Sequence, residues 1–145
     1  MGDLSKDINS KFPNQKIKAQ LNILYTASWI KNHQNEFFKS YGISAQQYNV
    51  LRILKGAGQP LKVQVIKERM IERSPNATRL MDKLCAKDLI ERVSCAEDRR
   101  VVHINITKSG MKLVGRISNN FKDDLLKNLS EKEAELLSDL LDKIR

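Results

Sequence analysis

Residues 74–107 read SPNATRLMDKLCAKDLIERVSCAEDRRVVHINIT. The spacing of this stretch predicts a capped amphipathic helix running into a two-stranded hairpin. Ser74 suits an N-cap, and Pro75 suits the first helical position, where a missing N–H costs nothing. Ala77, Leu80, Met81 and Leu84 recur every three or four residues and face inward on a helix over 75–87. Asn76, Thr78, Arg79, Asp82 and Lys83 are left on the outer face or its flanks. Strands are expected over 89–95 and 101–106. In the second, Val102, Ile104 and Ile106 alternate with Val101, His103 and Asn105, the period of a half-buried strand. Ala96, Glu97, Asp98, Arg99 and Arg100 form the hairpin tip.

Outward from this stretch the chain reads as helix. A helix is expected from Leu61 to Glu72, with Val63, Ile66 and Met70 toward a core. Its turn near Arg73 has no glycine. Two helices joined by a tight turn, the second leading with its N-terminus, make a helix-turn-helix. Before them, Ser44 and Gln47 form a capping box for a helix carrying Tyr48, Leu51 and Leu54, and Gly56, Gly58 and Pro60 mark its end. A long helix over 15–40 carries Ile17, Leu21, Leu24, Tyr25, Trp29 and Ile30. After the hairpin, Thr107 caps a helix that tolerates Gly110 near its start and carries Met111, Val114, Ile117 and Phe121. Ser130 and Glu133 box the last helix, striped by Leu136, Leu137, Leu140, Leu141 and Ile144. The fold class is therefore mostly α (α+β). The expected division is an N-terminal dimerisation helix (1–43), a winged helix-turn-helix (44–107) and C-terminal dimerisation helices (108–145). The middle part is too small to cover the outer stripes, and a second copy of the chain is the economical cover.

The chain has 145 residues and a formal net charge of +9. The excess is +5 over residues 1–59, +3 over 60–106 and +1 over 107–145, so it is no basic tail. This balance favours a polyanionic partner. No apolar run is long enough for a membrane span, and the N-terminus MGDLSKDINSKF lacks an apolar signal core, so a cytoplasmic place is expected. Cys85 and Cys95 form neither a disulfide framework nor a zinc ligand set. No metal and no cofactor is expected. Catalysis is disfavoured as well. There is no G-x-S-x-G elbow, phosphate-binding glycine loop or H-E-x-x-H helix, and His33 and His103 lie 70 residues apart.

The chemistry that remains is the grip on a duplex. A helix N-terminus offers free N–H groups to a phosphate. Ser74, Asn76 and Thr78 suit phosphates or base edges, Arg79 a guanine edge and Lys83 a phosphate. Arg100 at a hairpin tip suits the narrow minor groove, and Arg99 suits a phosphate or an internal partner. Asp98 would be repelled by phosphate, so its expected role is to hold the hairpin turn through hydrogen bonds. A dimeric winged helix that binds protein instead would lack small polar and basic residues on this face.

SPNATRLMDKLCAKDLIER and EDRRVVHINITKSG together make this chain resemble the MarR family of bacterial transcriptional regulators, over about Ile17 to Ile144. The first piece resembles the family's recognition helix and the second its wing, with an Asp-x-Arg motif at Asp98–Arg100 and an entry Ile106-Thr107-Lys108-Ser109-Gly110. The resemblance implies a homodimer whose recognition helices enter major grooves of a pseudo-palindromic operator in double-stranded DNA, with Arg100 in the minor groove and Asp98 steadying the wing. It implies a repressor released by a small aromatic or anionic effector, in a pocket for which Tyr25, Trp29, His33, Tyr48 and Arg52 are candidates. Some relatives respond to thiol oxidation, but no cysteine precedes Cys85 here. The chain departs from the family pattern at Asp88, where many members have glycine, and in MIERSP, which lacks the usual glycine-containing turn.

Overall fold

The computed structural model describes residues 2–73, 75–121 and 125–145. The elements run α1 (Leu4–Asp7), α2 (Gln15–Lys39), α3 (Ala45–Ala57), β1 (Leu61–Lys62), α4 (Val63–Arg69), α5 (Ala77–Ala86), β2 (Ile90–Ser94), β3 (Val102–Ile106), α6 (Lys108–Asn120) and α7 (Glu131–Asp142). The fold is mostly helical with a small antiparallel sheet ordered β1-β3-β2, a winged helix-turn-helix. The chain divides into two compact units, Met1–Val114 and Gly115–Arg145.

The core of the first unit is built where helical and strand periods meet. Val50, Leu51 and Leu54 of α3, Ile66 of α4, Met81 and Leu84 of α5, and Ile90 and Ile104 of the hairpin are all buried. Burying each such side chain contributes roughly 1.5–3 kcal/mol, which is why these positions tolerate no charge. The expected capping box at α3 is formed: Ser44 Oγ accepts from Gln47 N–H (3.1 Å) and Gln47 Oε1 accepts from Ser44 N–H (3.0 Å). Gly58 closes the same helix in the left-handed region, φ +64.

Three helix boundaries differ from the sequence expectation, and one helix is additional. The helix expected from Leu61 begins at Val63, because Leu61 and Lys62 pair antiparallel with Ile104 and His103 and become β1. Its far end stops at Arg69 instead of Glu72, with Met70 extended (ψ 137). The side chain of Asn49 accepts from Ile71 N–H at 3.0 Å, so a partner 22 residues away takes the amide that would have continued the helix. The helix expected from Pro75 begins at Ala77, with Asn76 as the N-cap residue. The expected cap Ser74 lies outside the described residues. Finally, the short helix α1 was not foreseen; Asp3 caps it through Ser5 N–H (3.1 Å) and Leu4 is buried.

The hairpin pairs Ile90 with Ile106 and Ser94 with Val102 in one register. Ile104 is fully buried, whereas Val102 is exposed, so the alternation of β3 leaves the core before the strand ends. The outer part of the hairpin projects as a wing. In the second unit, Ser130 and Glu133 cap α7 reciprocally, as their spacing predicts. The cap and its Ser130 N–H hold the Glu133 carboxyl below its ordinary range. No residue of α7 is buried: Leu136, Leu137, Leu140 and Ile144 all stand exposed.

Candidate nucleic-acid interface

Helix α5 is the amphipathic element the spacing predicts, shortened at its start. Ala77, Met81 and Leu84 are buried, and Thr78, Arg79, Asp82 and Lys83 are exposed on the other side. Thr78 with Asp82, and Arg79 with Lys83, are four residues apart and so lie one above the other on the helix surface. Asn76 is exposed at the mouth of the helix.

Helix α5 ends in a motif that aims the wing. Asp88 N–H donates to Cys85 O (3.0 Å) and Leu89 N–H to Leu84 O (3.1 Å), the paired bonds of a Schellman ending. This ending needs a left-handed residue, and Asp88 supplies it at φ +56. The turn is therefore made here by aspartate, the residue at which the sequence departs from the expected glycine. Thr107 then locks the base of the wing. Its Oγ1 donates to Asp88 O (2.6 Å) and accepts from Gly110 N–H (3.0 Å), and its own N–H donates to Leu89 O (3.1 Å). A Cβ on Gly110 would stand 2.2 Å from Leu89 O and 2.7 Å from an Ile106 side-chain carbon. Gly110 is thus required by close approach, where its position in the sequence looked merely tolerated.

At the wing tip, Asp98 Oδ1 accepts from Arg100 N–H (3.0 Å) and Asp98 O accepts from Val101 N–H (3.0 Å). Both of these bonds close the turn, and Arg99 and Arg100 stand exposed. An ion pair that the spacing did not reveal joins helix to wing. Arg92 of β2 donates to Asp82 of α5, and this hydrogen bond raises the Arg92 pKa above its ordinary value. Asp82 is thereby neutralised on a face that otherwise carries cations.

The approach to α5 carries two further cations. A cavity of about 550 Å³ is lined by Gln64, Lys67, Glu68, Arg73 and Pro75, beside the turn that leads into the helix. Gln64 donates to Glu68 at 3.1 Å. Arg73 was legible as the basic residue just ahead of the cap, yet only the fold brings it beside Lys67.

The candidate effector residues are not gathered in that cavity. Trp29 and His33 face each other on α2 at 5.1 Å between ring centroids, and Tyr48 packs on Phe38 at 4.7 Å. Tyr25 and Arg52 are exposed. Cys85 and Cys95 are half-buried free thiols. Among the described residues no cluster of His, Cys, Asp and Glu could hold a metal, and no helix is long and apolar enough to cross a membrane.

Comparison with known proteins yields a consistent set. Residues 43–102 match the profile described as MarR family. The chain is 31% identical over 119 residues to the HTH-type transcriptional regulator MhqR of Bacillus subtilis (strain 168), covering 79% of this chain and 81% of that protein. It is 33% identical over 119 residues to the HTH-type transcriptional regulator PapX of Escherichia coli, covering 79% and 73%. The crystal structure of S. aureus MepR in DNA-binding conformation superposes with a TM-score of 0.69 at 25% identity, covering 87% of this chain and 95% of that one.

Proposed function

This chain belongs to the MarR family of DNA-binding transcriptional regulators, and from that premise we propose that it works as a homodimeric repressor on a pseudo-palindromic operator. The family is one of regulators and not of enzymes. The observation that carries the reading is the pairing of the exposed Thr78, Arg79 and Lys83 of α5 with a wing whose turn is closed by Asp98 and whose tip exposes Arg99 and Arg100. Small polar and basic side chains at a helix start read base edges, and an arginine tip reads the minor groove. In this reading Asn76 and Lys83 hold phosphates, Thr78 and Arg79 read bases, Arg100 enters the minor groove, and Ser74 and Arg99 add backbone contacts.

Dimerisation belongs to the outer segments, 1–43 and 108–145, and DNA reading to 44–107. Exposed apolar side chains on α2 (Leu21, Leu24, Tyr25, Trp29) and on α7 (Leu136, Leu140, Ile144) support this division, since water-exposed stripes of this kind call for a partner surface. A small aromatic or anionic effector that releases the operator would engage the aromatic and cationic set of Tyr25, Trp29, His33, Tyr48 and Arg52. The place of action is the bacterial cytoplasm, at the chromosome.

Selection of bound fragments from the genome tests the reading. The expected result is enrichment of inverted repeats whose half-sites lie about one helical turn (10–10.5 base pairs) or a multiple apart. Recovery of fragments no better than random DNA would count against sequence-specific regulation.

A further inference from the structure

The segment between α4 and α5 contains no glycine, and its first residues, 70–72, are held from outside. Met70 is buried and Ile71 is 88% exposed, so hydrophobic packing holds only the first residue. Asn49 takes the Ile71 amide. Glu72 is then held by two elements at once. Its carboxylate accepts from Gln46 Nε2 of α3 at 2.5 Å, and it pairs with Lys31 Nζ of α2 at 3.1 Å. Hydrogen bonding to Gln46, then to Lys31, keeps the Glu72 carboxyl below its ordinary range. The residues that follow, Arg73 and then Pro75 and Asn76, are exposed.

We propose that Glu72 is a positioning residue for DNA reading: by gripping Lys31 and Gln46 it fixes the turn, and with it the point at which α5 begins. Lys31 stands 41 residues upstream on α2, the helix whose exposed apolar stripe would meet a second copy. The clasp therefore refers the start of the reading helix to the helix that would set the spacing between two chains. Glu72 touches no base in this arrangement. It acts through Asn76, Thr78 and Arg79. An exposed ion pair contributes little to folding, so its loss leaves the chain folded, whereas a dimer that must present two helices in register loses the clasp twice.

The inference rests on the DNA-binding reading, and the test separates the two. On an operator fragment recovered by the genomic selection, Glu72→Gln binds roughly 5- to 20-fold more weakly, as expected when a modest pair is lost in each chain. This direction opposes simple electrostatics, since removing a negative charge beside DNA should tighten binding. Lys31→Gln has a similar effect, the double variant is no worse than either single one, and Lys31→Arg retains affinity. The slope of affinity against salt stays unchanged, because no phosphate contact is lost. Equal or tighter binding by Glu72→Gln overturns the proposal. So does additive loss in the double variant with a shallower salt slope, which would make Lys31 a phosphate contact. If the wild-type protein enriches no DNA, the functional reading fails by itself. Hydrogen exchange then decides on the clasp: faster exchange at Ile71 to Thr78 in Glu72→Gln upholds it, and unchanged exchange overturns it.

Discussion

Two residues at the base of the wing carry opposite backbone demands. Gly110 has no space for a side chain, because Leu89 O would lie 2.2 Å from a Cβ. Gly110→Ala should therefore destabilise the chain by about 2–3 kcal/mol, the usual cost of forcing atoms into a packed site. A urea titration followed by circular dichroism measures it, and an unchanged midpoint would mean that α6 can shift away freely. Asp88 is the converse case. It holds φ +56 with a Cβ in place, at a cost that glycine escapes. Asp88→Gly should raise stability by up to about 1 kcal/mol, since the left-handed strain outweighs the extra chain entropy. A lowered midpoint would show that the Asp88 side chain itself holds the turn. Asp88 is recognisable in the sequence as a departure from a glycine turn. The need for Gly110 is not recognisable, because the atom it must avoid belongs to a residue on the far side of the hairpin.

At the scale of elements, the proposed interface is divided between helix and wing. Arg79→Ala or Thr78→Ala should reduce discrimination between operator and random DNA by about 1–3 kcal/mol, the worth of a lost base contact. Competition binding against both DNAs measures this, and equal weakening on the two would recast the residue as a backbone contact. Arg100→Ala should weaken operator binding while the protein keeps its oligomeric state, because its side chain stands exposed beyond a turn that Asp98 closes by accepting from the backbone N–H of Arg100, which alanine keeps. An unaltered band shift would remove Arg100 from the interface. The two elements are also joined to each other by Asp82 and Arg92. The apolar spacing of α5 showed its buried face plainly. It did not show where the helix begins, and the contacts of Asn49, Gln46 and Lys31 with the segment before it come from residues distant in sequence.

At the scale of the whole molecule, the outer stripes remain to be covered. The exposed Leu24 (62%), Leu136 (58%) and Ile144 (68%) are too many and too large for a chain that stays alone in water. Sedimentation at micromolar concentration should give the mass of a dimer, and substituting Leu136 and Leu140 together by serine should shift it toward monomer. A monomeric wild-type mass would sink the two-site arrangement on DNA.

The amino-acid order by itself determined that α2 to α7 are helices and β2 and β3 strands, which faces are apolar, and where Ser44, Thr107 and Ser130 begin their helices. Those properties depend on residues three or four apart, and such partners are always visible in a sequence. Only the tertiary structure decided that Leu61 and Lys62 leave the helix for β3, that α4 stops at Arg69, that α5 starts at Ala77, and that Val102 leaves the core. The first two outcomes hang on a strand pairing and a hydrogen bond supplied from elsewhere in the chain. A local propensity of a few tenths of a kcal/mol per residue yields to such partners.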